Sequence, residues 1–205
     1  EDRGKARIEG TVELSQAAYE YRITSGQTLE CDYDDSANGA DPLYLEKHGA
    51  FLKALGERYD GRPEVEFLDI GSYGIWGEWH TKNPAPAEVR KKIVDLYQTA
   101  FRKTPLVFMS DDAEVSNYAI SLGTGFRRDG VASPWHEENW IGSKKYAAVQ
   151  GMADVWKKAP VVFEWFGDYD YIQSKQWSFD AAMNFMLNNH VTLIKGAMPA
   201  EYGGR

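Results

Sequence analysis

The sequence predicts an α/β fold with parallel strands, on three observations. Short apolar runs alternate with longer amphipathic helical stretches. Polar and acidic residues gather where the apolar runs end. No Gly-rich phosphate turn follows the first of those runs. Alternation of this kind implies parallel strands with covering helices. A doubly wound sheet usually carries the phosphate turn, so a (β/α)8 (TIM) barrel fits better, with its site at the C-terminal ends of the strands. Five or six strands can be counted where a barrel needs eight, so residues 1–205 are expected to form a single barrel domain that is incomplete at its N-terminus.

Each element has its own warrant. Residues 7–14 fit a strand, and the polar, acidic stretch from 25 to 40 fits a loop. Asp41 and Pro42 then open a helix as N-cap and first residue. Leu45, Phe51, Leu52 and Leu55 give it an apolar face, and it ends near Tyr59-Asp60-Gly61 with Pro63 beyond. Val65, Phe67, Leu68 and Ile70 mark a strand over 65–71, short and apolar enough to be covered on both faces. Pro84 and Pro86 bound a helix over 86–102, with Val89, Ile93, Leu96, Tyr97 and Phe101 on one side. Residues 106–109 form the next strand, 113–122 a short helix, 126–131 a weak strand, and 135–138 a loop. A helix over 143–157 precedes a strand over 161–164, and a helix over 179–188 precedes a strand over 191–194.

Composition narrows the function. Hydrophobic residues make up 43% and charged residues 26%, as in a folded soluble chain. Net charge is −8, and no basic run exceeds Arg90-Lys91-Lys92, so a nucleic-acid partner is not expected. No apolar run reaches the ~18 residues of a membrane span. The single cysteine, Cys31, allows no internal disulfide and reads as a passenger. Aromatic residues reach 14%, with 7 Trp and 12 Tyr, which suits a flat-faced ligand such as a carbohydrate. Glu1 is not an initiator methionine, and a secreted or periplasmic location with a removed signal is expected.

Residues 65–80 read VEFLDIGSYGIWGEWH. A strand runs into Gly71, Gly74 and Gly77, interleaved with Tyr73, Trp76 and Trp79, and Glu78 sits among them. Glycine lets backbone approach a ligand closely, and tryptophan faces suit the apolar faces of sugar rings. A carboxyl group beside large apolar rings is pushed toward the neutral form that a general acid needs. Residues 160–166 read PVVFEWF, so Glu164 and Trp165 also follow an apolar strand. Two carboxyl groups converging on one pocket are the minimum apparatus for glycoside hydrolysis. The bland alternatives are that Glu78 caps a loop or pairs with an arginine, and that Glu164 pairs with Arg127 or Arg128.

The run FLKALGERYDGRPEVEFLDIGSYGIWGEWH resembles a bacterial family of glycoside-hydrolase-like proteins catalogued as a domain of unknown function. The shared residues are Arg58, Tyr59, Asp60 and Gly61, then Gly71, Gly74, Trp76, Gly77, Glu78, Trp79 and His80. That family looks like a branch of the clan of retaining barrel glycosidases that includes β-galactosidases. The resemblance implies an acid/base glutamate after strand four, Glu78, and a nucleophile after strand seven, Glu164. Strands five, six and eight then fall at 106–109, 126–131 and 191–194. One departure stands out: the clan usually has Asn before the acid/base glutamate, where it binds the sugar 2-hydroxyl, and this chain has Gly77. The likeness is close over residues 41–82 and looser, but in order, to residue 196.

Further candidates for substrate binding are Trp76, Trp79, His80, Asp111, Asp112, Arg128, Trp135, His136 and Trp165, with Tyr169 and Tyr171 as additional stacking surfaces. Of Asp111 and Asp112, one is expected to contact sugar hydroxyls and the other to cap the next helix. Asp69 is expected to be a paired structural carboxylate if it faces the barrel interior. Arg127 and Arg128 suit either a carboxylate or sulfate on an acidic sugar or ion pairs with the chain's own acids. His48 and His190 read as structural. No cofactor or metal is expected, since no compact ligand motif such as H-x-H or H-E-x-x-H occurs. Three classes compete: a retaining glycoside hydrolase, a metal-dependent sugar-processing barrel, and a barrel that binds sugar without cleaving it. Two bare carboxyl groups ~5–5.5 Å apart favour the first. A metal between Glu78 and Glu164 favours the second, and a carboxylate occupied by a salt bridge favours the third.

Overall fold

The computed structural model describes residues 12–13, 22–23, 42–81, 84–138 and 151–196. The expected loop over 25–40, the Asp41 cap and most of the expected helix over 143–157 lie outside the described residues. The chain divides into two compact units, residues 1–58 with 72–100, and residues 59–71 with 101–205.

The first unit contains a short antiparallel pair, β1 (Val12–Glu13) and β2 (Arg22–Ile23), and two helices, α1 (Pro42–Tyr59) and α2 (Ala87–Ala100). Pro42 occupies the first helical position, where its missing N–H costs nothing. Leu52 of α1 and Ile93, Val94 and Tyr97 of α2 are buried. The two helices approach closely at Gly56, where a β-carbon would lie 2.2 Å from the Ala100 carbonyl oxygen. His48 is structural, as expected. Its ring stacks on Tyr44 at 5.3 Å and meets Tyr97 at 5.7 Å, and burial pushes its pKa down.

The second unit is built on a five-stranded parallel sheet that curls as a half-barrel. Its strands are β3 (Leu68–Asp69), β4 (Leu106–Met109), β5 (Gly125–Val131), β6 (Val161–Trp165) and β7 (Leu193–Lys195). They lie in sequence order, each beside its successor, with every pairing parallel. Sequential order without a reversal is that of a singly wound sheet, whereas a doubly wound sheet reverses at its switch point. Five parallel strands in this order are compatible with part of a barrel, and eight are not shown among the described residues. The helices are α3 (Ala113–Ser121), α4 (Pro134–Glu138), α5 (Tyr169–Ser174) and α6 (Phe179–Asn188).

Period-two alternation sorts the strand residues onto two faces. Phe126, Val161, Phe163 and Trp165 pack with Val155, Ile172, Ala182 and Met186 in one hydrophobic core. The opposite face begins apolar, with Val107, Met109 and Val162 buried. It ends in charge, because Arg127, Asp129, Glu164 and Lys195 share the register of that face.

The Tyr59-Asp60-Gly61 segment leads into this sheet. The Asp60 carboxylate accepts from the N–H groups of Arg102, Lys103 and Thr104 at 3.1, 2.9 and 2.8 Å, and Thr104 Oγ1 accepts from Gly61 N at 2.8 Å. Burial alone would raise the Asp60 pKa, but the three backbone donors outweigh it and hold the carboxyl below its ordinary value. Three expectations need correction. Residues 135–138, expected as loop, belong to α4, and the part of the expected 143–157 helix that is described is a 3-10 turn over Met152–Lys157. The strand expected over 65–71 keeps ladder pairing only at Leu68 and Asp69, and β4 is its one neighbour among the described residues.

Candidate functional site

The C-terminal ends of the parallel strands gather charged side chains of the second unit. Arg127 lies on β5, and its side chain is 7% exposed. Nη1 donates to Asp69 Oδ2 at 2.7 Å, Nε to Asp129 Oδ1 at 3.0 Å, and Nη2 to Asp129 Oδ2 at 2.6 Å and Glu164 Oε2 at 2.9 Å. The planar fork of a guanidinium is suited to several carboxylates at once. Burial works against its charge, but Asp129 and Asp69 outweigh burial and raise the Arg127 pKa above its ordinary value. Lys195, at the end of β7, places Nζ 3.4 Å from Glu164 Oε2 and 3.8 Å from Asp69 Oδ2. Among the described residues both ion pairs of Glu164 are on one oxygen, Oε2. Its side chain is 32% exposed. Asp69 is the paired carboxylate expected from its place in the strand.

A second group lies on the other face of β5. Arg128 Nη1 donates to Asp111 Oδ1 at 3.1 Å, and both side chains are largely buried. Asp112 instead caps α3 by accepting from Val115 N at 3.2 Å. One of the two acids was expected to cap the next helix, and Asp112 does so. His136 packs against Gly130, where φ is 95° and a β-carbon would lie 2.4 Å from the imidazole Cδ2. A register shift between Asp129 and Val131 marks the same spot as a bulge, which bends the strand and re-aims the residues beyond it. His136 Nδ1 lies 2.9 Å from Ser133 Oγ. Burial and then the Arg128 charge lower the His136 pKa, with Asp111 opposing. Glu137 braces Ala132, a non-glycine residue at φ 76°, by accepting from its N–H at 3.1 Å. Burial raises the pKa of Glu137, against the effect of that N–H.

Aromatic rings continue outward from His136. Trp135 meets it at 4.9 Å and Phe166 at 5.1 Å, and Phe166 in turn meets Tyr171 at 5.8 Å and Trp177 at 5.3 Å. Trp135, Phe166 and Tyr171 are exposed. Trp165 is not. It is buried in the core and stacks on Phe179 at 5.3 Å, so it is a packing residue rather than a stacking surface for a ligand.

The first unit holds the Trp-Gly-Glu-Trp loop. Gly74, Trp76, Gly77 and Trp79 have φ of 78, 54, 76 and 64°. Glycine takes this left-handed region freely, but tryptophan does so at a cost of roughly 1–2 kcal/mol. Backbone bonds close the loop: Trp79 N donates to Tyr73 O at 3.0 Å and Ile75 N to His80 O at 3.1 Å. Gly74 is required, since a β-carbon there would lie 2.8 Å from the His80 carbonyl oxygen. Trp79 is 2% exposed and packs on Tyr73 at 5.1 Å, while the Tyr73 hydroxyl accepts from Ala85 N at 2.7 Å. Trp79 is thereby corrected from ligand surface to loop support. Trp76 is 73% exposed, the large aromatic surface of the loop, and meets the His80 ring edge-on at 5.8 Å. Glu78 Oε2 lies 3.7 Å from His80 Nδ1.

Asp111, Asp129, Glu164 and Lys195 stand at or just beyond the same ends of parallel strands, as the expected architecture requires for Asp111 and Glu164. Sequence reading missed Lys195 and Phe166. A signal existed for Lys195, a lone charge closing the apolar strand Thr192-Leu193-Ile194. Among the described residues no group of three or more His, Cys, Asp or Glu is placed to hold a metal ion. No helix of the described residues is long and apolar enough to cross a membrane. Comparison with protein-family models, curated proteins and solved structures finds no match to this chain.

Proposed function

We propose that this chain belongs to a (β/α)8-barrel glycoside hydrolase that cleaves an oligo- or polysaccharide with retention of configuration. The supporting observation is Glu164, which lies one residue from the end of β6 among charged residues of neighbouring strands. One of its oxygens is anchored by Arg127 and Lys195. An anchored carboxylate is a positioned one, and nucleophilic catalysis depends on position to within fractions of an ångström.

In this reading Glu164 attacks the anomeric carbon while the bond from that carbon to the leaving oxygen breaks. Glu78 donates its proton to that oxygen. A water then gives a proton back to Glu78 and attacks the anomeric carbon, which releases Glu164 and the free sugar. Trp76 offers a stacking face, and Asp111 and His136 offer hydrogen bonds to hydroxyls.

The salt bridges on Glu164 also favour a second reading, in which the barrel binds sugar without cleaving it. Gly77 in place of Asn supports that reading too. Incubation with a panel of activated 2-deoxy-2-fluoro glycosides separates the two. Hydrolysis with retention predicts one covalent glycosyl adduct, mapped by peptide mass spectrometry to Glu164. Saccharide binding with no adduct from any member of the panel favours the binding module, and an adduct on another residue refutes the assignment.

A further inference from the structure

Recognition of an anionic sugar requires a cation with donors to offer. Arg127 directs its donors to Asp69, Asp129 and Glu164, and its side chain is 7% exposed. Arg128 is turned onto Asp111 and is equally enclosed. Lys195 is the most exposed of the three cations at 37%, and it already faces Glu164 and Asp69. Among the described residues four carboxylates, Asp69, Asp111, Asp129 and Glu164, pair with these three cations, so the ion-paired group at the strand ends has one more acid than base. The rings that run outward from His136, Trp135, Phe166 and Tyr171, offer uncharged, exposed faces.

We infer that the ligand of this end of the sheet is an uncharged, polyhydroxylated sugar ring, and that uronic and sulfated sugars are excluded. The inference rests on the carbohydrate-processing reading above. Carboxylates accept from sugar hydroxyls through charge-assisted hydrogen bonds, whereas a sugar carboxylate in the same place adds like charge to a group whose acids outnumber its bases. One unit charge at ~6 Å and an effective dielectric of ~20 corresponds to roughly a hundredfold in affinity.

The experiment uses matched pairs of aryl glycosides that differ only at C6, hydroxymethyl against carboxylate, with both hydrolysis and calorimetric binding measured. The neutral member of any pair that is processed should lead in kcat/KM, and in binding, by roughly a hundredfold. A uronide that is bound or cleaved as well as its neutral partner overturns the inference and leaves the hydrolase reading standing. Binding of the neutral members with no cleavage supports the inference and overturns the hydrolase reading. No binding by any pair overturns both.

Two variants move the discrimination in opposite directions. Asp129→Asn should narrow it by roughly tenfold, and Lys195→Gln should widen it severalfold. Lys195→Gln changes a partly exposed side chain, so it serves if Asp129→Asn fails to fold. Discrimination unchanged in Lys195→Gln overturns the electrostatic origin proposed.

Discussion

Arg127 joins carboxylates from β3, β5 and β6 through one enclosed guanidinium, while Lys195 touches two of the same acids from a partly exposed position. Breaking a buried pair from one side strands its partners and costs about 3–5 kcal/mol. Exposed pairs cost about 0–1 kcal/mol. Arg127→Ala should therefore lower the unfolding free energy by several-fold more than Lys195→Ala in chemical denaturation. Equal losses would show that the acids are not organised around Arg127. Trp76 makes a different point at this scale. Its φ of 54° is strained, and its ring is exposed. Strain held by an exposed residue suggests a use for the ring. Trp76→Gly should raise stability by about 1 kcal/mol while raising KM for a cognate saccharide about tenfold. A variant that is less stable, with unaltered KM, would make Trp76 a packing residue.

At the scale of elements, the tight approaches and caps set the outcome. Gly56→Ala places a β-carbon against the Ala100 carbonyl, so α1 and α2 must separate. A loss of about 1–3 kcal/mol is expected in thermal melts, and a neutral result would mean that the helices adjust freely. Asp60 ties the turn at Tyr59-Asp60-Gly61 to the approach to β4 through three backbone donors. Its pKa is lowered by folding, so its contribution is present above the unfolded value and is lost as pH falls through the lower folded one. Asp60→Ala should cost about 1–2 kcal/mol near neutral pH and progressively less below pH ~4. A helix of several turns and a plain apolar run were legible in the sequence: α6 spans residues 179–188 and β4 spans 106–109, as their patterns predict. The short helices were not. α4 and α5 have 5 and 6 residues, too few for a 3.6-residue period to show, and their boundaries follow from Pro134 and from the Asp168 cap. The expected strand over 65–71 shortened because ladder pairing depends on a neighbour that no local pattern can name.

For the whole molecule, charge at the strand ends was legible, but its pairing was not. Asp111, Asp129 and Glu164 could be placed from strand ends alone. That Arg127 would take three acids while Arg128 turned to Asp111 follows from strand alternation combined with register, which appears only in the assembled sheet. The tryptophans show the same limit. Trp76, Trp79 and Trp165 look alike in sequence, yet one is exposed and two are buried. Stability should also respond to pH as a whole. Burial lowers the pKa of both His48 and His136, so folding disfavours their protonation. Stability held at pH ~7.5 should fall as pH drops through the unfolded value near ~6.5 toward the lower folded values. His48→Leu should flatten that slope between pH ~7 and ~5.5, and an unchanged slope would exclude it as a source.

The central claim, that Glu164 is the nucleophile, is tested most directly by chemical rescue. Glu164→Gly should lose hydrolysis of an activated glycoside that the parent protein cleaves. Added azide should restore turnover and yield a glycosyl azide of inverted configuration, because the azide occupies the face that the carboxylate has left. Near-normal hydrolysis by Glu164→Gly without azide would contradict the account.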